Sequence, residues 1–186
     1  DPLRKEAKAA IEALHACGIS KVVMMTGDNR KTAQAVAREV GVDQFYADVL
    51  PEDKASFIRQ EKSAGRKVIM IGDGVNDTPA LSEADVGIAI NTGAAIAREI
   101  ADVTIASEDL FELVTLRKIS QALMNRIHRN YRFIVGFNCM LIALGVAGVI
   151  QPTTSALLHN ASTLGISLDS MTDLLDKEKE CKEPEA

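Results

Sequence analysis

The chain has 186 residues, three cysteines, no tryptophan and a formal net charge of −5. A hydrophobic share of 47% and a charged share of 25% exclude a disordered chain over most of its length. Cys17, Cys139 and Cys181 are too far apart for a disulfide framework or a zinc knuckle, and no basic face beyond one short collar is large enough for a nucleic-acid binder.

Mean hydropathy is +0.05, slightly high for a purely soluble domain, and the cause is local. Residues 1–113 sum to −6, residues 114–132 to +5, residues 133–168 to zero and residues 169–186 to −4. A neutral apolar block therefore follows a basic collar and precedes an acidic tail, which is expected to be disordered. The cysteines read as reduced thiols of a cytosolic setting. The chain starts at Asp1 rather than Met, so a segment upstream is expected to have been removed.

Residues 1–113 alternate helical and strand patterns. Asp1-Pro2 is an N-cap and first-turn proline, Ala7, Ala10, Ile11 and Leu14 recur at helical spacing, and Gly18 ends the helix. Buried strands are expected over 21–25, 67–71, 86–90 and 102–105. Helices are expected over 30–40, from Pro51 to about Gly65, and over 76–84 and 93–100. Short strands separated by helices imply right-handed βαβ units and a parallel sheet. One long helix follows over 108–132 with Arg117, Lys118, Arg126, His128, Arg129 and Arg132. The 36 uncharged residues 133–168 have room for two membrane spans of roughly 17–20 residues each, with Pro152 at the turn. Phe133 to Ile150 is the more apolar of the two; residues 153–168 are richer in Ser, Thr and Asn. The collar places the entry side in the cytoplasm.

Ligands of parallel sheets bind at the carboxyl ends of the strands. Three polar segments fall there: Thr26-Gly27-Asp28-Asn29, Pro51-Glu52-Asp53-Lys54 and Gly72-Asp73-Gly74-Val75-Asn76-Asp77. In the last, two carboxylates four residues apart straddle a strand-to-helix turn. Hard oxygen ligands at one point suit Mg²⁺, which also takes phosphate oxygens and water. Thr26-Gly27-Asp28 offers a hydroxyl and backbone N–H groups to a phosphate, although such a turn also simply caps a helix. Lys54 can set its ammonium on a phosphoryl group, although a lone exposed lysine is usually a solvated one.

These three segments resemble the later motifs of the haloacid-dehalogenase-like fold, and their wording resembles the phosphorylation domain of P-type ATPases. Asp1-Pro2-Leu3-Arg4, Asp85-Val86-Gly87-Ile88-Ala89 and Ala101-Asp102 continue the likeness. It covers about the first 110 residues and extends through the uncharged block. With room for two spans after the domain, the chain is similar to the heavy-metal-transporting class. The family's Asp-Lys-Thr-Gly-Thr segment is not in this sequence. The resemblance therefore implies the C-terminal part of a larger pump, unable alone to form a phosphoenzyme and marginal in stability without its first strand.

The resemblance also implies roles. Asp73 would bind Mg²⁺, with Asp77 supporting it; Thr26 and Gly27 would hold phosphoryl oxygens while Asp28 orients their loop. Lys54 would neutralise phosphoryl charge, in a reaction where positioning and electrostatics dominate. ATP would be bound mainly by a nucleotide domain outside this sequence. The other expected partners are the remaining domains of the pump, the lipid bilayer and a transition-metal cation, with no nucleic acid. The location expected is a multi-pass cell-membrane protein with its soluble domain in the cytoplasm. For the transported ion the candidates are Asn138, Cys139, His159 and Asp169. Their mixture of imidazole, carboxylate and thiol favours Zn²⁺, Mn²⁺, Co²⁺ or Fe²⁺ over Cu⁺. His159 can equally hydrogen-bond a neighbouring helix, and Cys139 can be a small apolar filler. Two other readings stay open: a membrane-tethered piece that binds Mg²⁺ or phosphate without turnover, and a soluble phosphatase of the same fold.

Overall fold

The computed structural model describes residues 7–72, 75–90, 99–105 and 110–174. It divides into two compact units, Asp1–Thr115 and Leu116–Ala186. The expected 93–100 helix falls mainly outside the described residues, as do Asp1-Pro2-Leu3-Arg4, Asp73, Gly74 and most of the acidic tail.

The first unit runs α1 (Ala7–Ala16), β1 (Val23–Met25), α2 (Arg30–Val40), β2 (Gln44–Tyr46), α3 (Pro51–Ser63), β3 (Ile69–Gly72), a 3₁₀ turn (Val75–Asp77), α4 (Thr78–Glu83), β4 (Val86–Ile90) and β5 (Val103–Ile105). All pairings are parallel: β1 with β2, and β3–β4–β5 in that order. The α/β architecture is thus the expected one. Helix α2 shows why its segment folds as it does. Asn29 caps it by accepting from the Thr32 amide at 3.1 Å, Gly41 closes it at φ 76°, and Ala33, Ala37 and Val40 form its buried face. The rest of the core is also built from small residues, among them Ala10, Ala55, Ala80 and Ala89, with Ile58, Leu81 and Ile88 filling between them.

Two strand expectations need correction. Strands β1 and β3 are not buried runs: β1 is half-buried throughout, and Ile69 and Ile71 of β3 stay 45% and 37% exposed. Among the described residues each pairs on one side only, whereas β4 lies between two neighbours and buries Gly87, Ile88 and Ala89. Strand β2 has no counterpart in the sequence reading. It is held from outside its own three residues, the Tyr46 ring lying 5.1 Å from that of Phe57 on α3.

Carboxylates tie the sheet at its edges. Asp102 accepts from the Gly87 amide at 2.8 Å, which docks the start of β5 on β4. Gly87 itself is required, because a Cβ there would lie 2.8 Å from the Leu81 carbonyl oxygen. Asp85 accepts from the Val68 amide and from Lys67 Nζ, both at 3.0 Å. The Val68 N–H, and then Lys67, hold its carboxyl below the usual carboxylate range.

In the second unit the expected basic helix and first span are one element. Helix α5 (Phe111–Val146) runs unbroken for 36 residues, since no proline interrupts it. A turn with Gly148 at φ 71° leads to α6 (Pro152–Ser170), which Pro152 opens. Among the described residues no helix is long and apolar enough to cross a membrane, so the two expected spans are not found as such. The physical reason differs between the helices. The uncharged part of α5 ends at Val146, after 14 residues or about 21 Å of rise, against about 30 Å of hydrocarbon. Helix α6 interrupts its leucines with His159, Asn160, Ser162 and Thr163.

The far end of α6 is closed by α5. The Arg126 guanidinium donates to the carbonyls of Ser170, Thr172 and Asp173 at 3.2, 2.7 and 2.9 Å. These include carbonyls that a helix end leaves without intrahelical partners. Arg129 pairs with Asp169 at 2.8 Å, and Asn130 donates to Ser170 Oγ at 3.2 Å.

Asp85 supplies a pH test of the fold. A depressed carboxyl pKa stabilises the folded state above the unfolded value, about 4, and that contribution disappears as pH falls through the lower folded value. Asp85→Asn should therefore lower the melting temperature at pH 7. The gap to the parent chain should shrink and close as the melts are repeated below about pH 4.

Candidate functional site

The loop after β1 is locked by its own side chains. Thr26 Oγ1 donates to Asp28 Oδ2 at 3.0 Å and accepts from the Asp28 amide at 3.1 Å. Gly27 and Asp28 are exposed, while Asn29 rather than either of them caps α2. This loop is tied to the one after β2. The Asp48 amide donates to the Asp28 carbonyl at 2.9 Å, and the Val49 amide to the Thr26 carbonyl at 3.1 Å. Asp48 takes φ 55°, a conformation that Asp adopts more readily than most residues. Val49 leads directly into α3, where Pro51 occupies the first turn and Asp53 accepts from the Leu50 amide at 3.2 Å.

One turn into α3, Lys54 Nζ reaches Asp77 Oδ1 at 2.7 Å. Both side chains are mostly buried, at 15% and 11% exposure. Asp77 ends the turn after β3, and its fit there depends on Gly72. A Cβ at position 72 would lie 2.6 Å from the Asp77 Cβ and 2.9 Å from its carboxylate. The Thr78 hydroxyl next to it is buried with no hydrogen-bond partner among the described residues. Thr26, Gly27, Asp28, Lys54 and Asp77 thus sit on one chain of linked loops at the carboxyl ends of the strands.

The donors that the described residues show are part of what a magnesium ion takes. Among the described residues no group of three or more His, Cys, Asp or Glu converges, and Asp73 lies outside them. Magnesium takes one or two protein carboxylates and completes its shell with phosphate and water. The one carboxylate described here, that of Asp77, faces the Lys54 ammonium. Backbone N–H groups and a lysine at strand ends are the groups that receive phosphate oxygens.

The four candidate ion ligands of the helical unit separate. His159 Nδ1 and Asn138 Oδ1 lie 2.8 Å apart across α5 and α6. A proton on Nδ1, facing this carbonyl oxygen, leaves Nε2 as the free lone pair. Ser162 and Thr163 hydroxyls both donate to the His159 carbonyl, at 2.8 and 3.0 Å. Cys139 is exposed, roughly 100° further round α5 than Asn138. Asp169 sits ten residues beyond His159, about 15 Å along α6, and pairs with Arg129. Sequence reasoning singled out Lys54 and Asp77 but not their pairing or the need for Gly72 beneath Asp77. Its signal was the glycine that starts the Gly72-Asp73-Gly74 run.

Residues 1–85 match the family of haloacid dehalogenase-like hydrolases. Over most of its length the chain resembles heavy-metal P-type ATPases. It is 47% identical over 158 residues to copper-transporting ATPase 2 of Rhizobium meliloti, covering 85% of this chain and 19% of that protein. It is 39% identical over 171 residues to a manganese-exporting P-type ATPase of Mycobacterium bovis, covering 91% of this chain and 24% of that protein. A crystal structure of a zinc-transporting PIB-type ATPase superposes with a TM-score of 0.86 at 32% identity, over 92% of this chain and 28% of the other. The chain thus spans about a fifth to a quarter of the length of the curated relatives it matches.

Two substitutions test the geometry. Gly72→Ala should displace Asp77 and destabilise the domain by about 1–3 kcal/mol, read from thermal or denaturant unfolding. A double-mutant cycle on Lys54→Met and Asp77→Asn should return a coupling of about 1–3 kcal/mol. A coupling near zero would show that the two groups do not interact in solution.

Proposed function

We propose that the chain is the phosphoryl-handling and C-terminal membrane part of an ATP-driven transition-metal pump that works through an aspartyl-phosphate. The carrying observation is the Lys54–Asp77 pair at 2.7 Å, on a helix that follows directly from the segment hydrogen-bonded to the Thr26–Asp28 loop. The likeness to metal pumps over 85–92% of the chain supports the same reading, since that span exceeds the first unit. ATP hydrolysis and translocation belong to the whole protein, and the phosphorylated aspartate and most of the ATP contacts to segments beyond this sequence.

In this reading Thr26 and the Gly27 and Asp28 amides receive the phosphoryl oxygens, and the Thr26–Asp28 hydrogen bonds fix their directions in advance. Lys54 offsets the charge that accumulates on those oxygens. Asp77 holds the Lys54 ammonium at the strand end and, with Asp73, would hold Mg²⁺. The ion would supply further charge neutralisation and a fixed orientation for the phosphate. Preorganisation is the physical gain: the donors are in place before charge develops.

The helical unit supplies part of the ion path. Large apolar side chains cover it outwardly, with Val146 86%, Leu157 70% and Ile142 67% exposed, which suits apolar surroundings shared with further helices of the pump. Here Asn138 fixes the His159 ring so that Nε2 faces the ion, and the imidazole favours Mn²⁺, Zn²⁺, Co²⁺ or Fe²⁺ over Cu⁺.

The test is phosphorylation of the intact pump in membranes from labelled ATP. Lys54→Ala and Asp73→Asn should each lower phosphoenzyme formation by about 100-fold. Normal phosphorylation in both would sink the assignment. His159→Ala should instead abolish stimulation by divalent metal and leave phosphorylation from inorganic phosphate intact.

A further inference from the structure

Among the described residues five take a positive φ, and four of them are glycines: Gly18, Gly41, Gly65 and Gly148. The fifth is Asp48, at φ 55°. A left-handed backbone is free to glycine and open at modest cost to Asp and Asn, but it is costly to other residues and most of all to β-branched ones. The Asp48 side chain does not account for this conformation. It is exposed and makes no hydrogen bond or ion pair among the described residues.

Its backbone does. The β1–β2 ladder ends with Met25 opposite Tyr46, but the two chains stay tied beyond it. The Thr26 amide donates to the Tyr46 carbonyl at 3.0 Å, and the Thr26 carbonyl accepts from the Val49 amide at 3.1 Å. The Asp48 amide donates to the Asp28 carbonyl at 2.9 Å. The exit of β2 therefore holds the loop after β1 at both of its ends and leaves Gly27 exposed between them. Successive groups of an extended strand point to opposite sides, so two consecutive amides can serve one loop only if the backbone turns between them. The left-handed Asp48 is that turn. The same turn feeds α3: Val49 is followed by Leu50 at the helix cap, Pro51 in its first turn and then Lys54. Tyr46 at the base of the turn is braced by Phe57 of α3, the rings lying 5.1 Å apart.

We propose that Asp48 is a positioning residue of the phosphoryl site: its left-handed turn aims two consecutive amides at the Thr26–Asp28 loop and sets where the chain leaves for Lys54. This role rests on the reading that the loop receives phosphoryl oxygens. It belongs to the backbone conformation and not to the carboxylate. Asn at position 48 should serve as well as Asp. Gly reaches the same conformation but leaves it more readily, so it should serve slightly less well. Val should fail, because its branched Cβ opposes the left-handed region.

The test is phosphorylation of the intact pump in membranes by inorganic phosphate at saturating Mg²⁺, read both as the half-saturating phosphate concentration and as the maximum phosphoenzyme level. Asp48→Val should raise the half-saturating concentration about ten-fold. Asp48→Asn should stay within about two-fold of the parent and Asp48→Gly within about three-fold. Should Asp48→Val fail to reach the membrane, Asp48→Ala carries the same expectation at about three-fold, since it opposes the turn without a branched Cβ. A fall in the maximum level alone, with half-saturation unmoved, is what loss of folded pump produces and would overturn the positioning role. Asp48→Asn as impaired as Asp48→Val would also overturn it, by assigning the effect to the carboxylate. A parent pump that takes up no phosphate would remove the phosphoryl reading and the positioning role together. A parent that takes it up, with Asp48→Val and Asp48→Ala at the parent's half-saturation, would remove the positioning role and leave the phosphoryl reading standing.

Discussion

An ammonium and a carboxylate 2.7 Å apart, Lys54 and Asp77, join the first turn of α3 to the turn that follows β3. Each is placed by something cheaper than itself. Asp77 is placed by the missing side chain of Gly72, and Lys54 by a helix start that Pro51 and Asp53 fix. Both groups are largely withdrawn from solvent, so each stabilises the other's charge more strongly than at the surface. Removing one partner leaves the other as a buried charge without compensation, which is more costly than losing the attraction alone. The phosphoryl chemistry proposed for the domain starts from this pair.

The surrounding packing makes the pair possible. Alanines and glycines let helices and strands approach closely, most visibly where Gly87 lies against the Leu81 carbonyl. Polar edges are closed by single carboxylates that reach across, as Asp85 does to Val68 and Asp102 to Gly87. The relatives move copper and manganese, and the superposed pump moves zinc. In the proposed reading that range separates two tasks. Phosphate oxygens are the same whatever the cargo, so the strand-end loops can stay constant. The helical unit would then vary with the ion, and its His159–Asn138 contact differs in kind from the Lys54–Asp77 pair of the first unit.

Much of this was legible in the sequence, for identifiable reasons. Helix α2 was readable because every signal in it is local: Asn29 at its start, Gly41 at its end and a buried face at helical spacing between. The β4 strand was readable as an apolar run because it is flanked on both sides. Strand β2 was not, because Gln44, Phe45 and Tyr46 carry no alternation of their own and are held by Phe57 and by the register with β1. Thr26, Lys54 and Asp77 stood out in motifs after strands, whereas the dependence of Asp77 on Gly72 is a distance between atoms five residues apart. The helical unit was the least legible part. A run without charge fixes composition but not where a helix stops, and α5 stops at Val146 before the run is exhausted. Asp169 was grouped with His159 by chemistry, while an arginine from another helix, 40 positions earlier, decides where it points.

The Arg126 guanidinium has a consequence for how this chain can change over generations. It serves the carbonyls of Ser170, Thr172 and Asp173 at once. Only a planar group with several fixed N–H directions can do so, and a lysine ammonium on a flexible stem cannot match that fan of acceptors. Position 126 is therefore closed even to the most conservative exchange of charge. The acceptors, by contrast, are main-chain oxygens that every residue carries. The three positions at the end of α6 can mutate freely without breaking the contact, so the whole constraint of this closure falls on one codon.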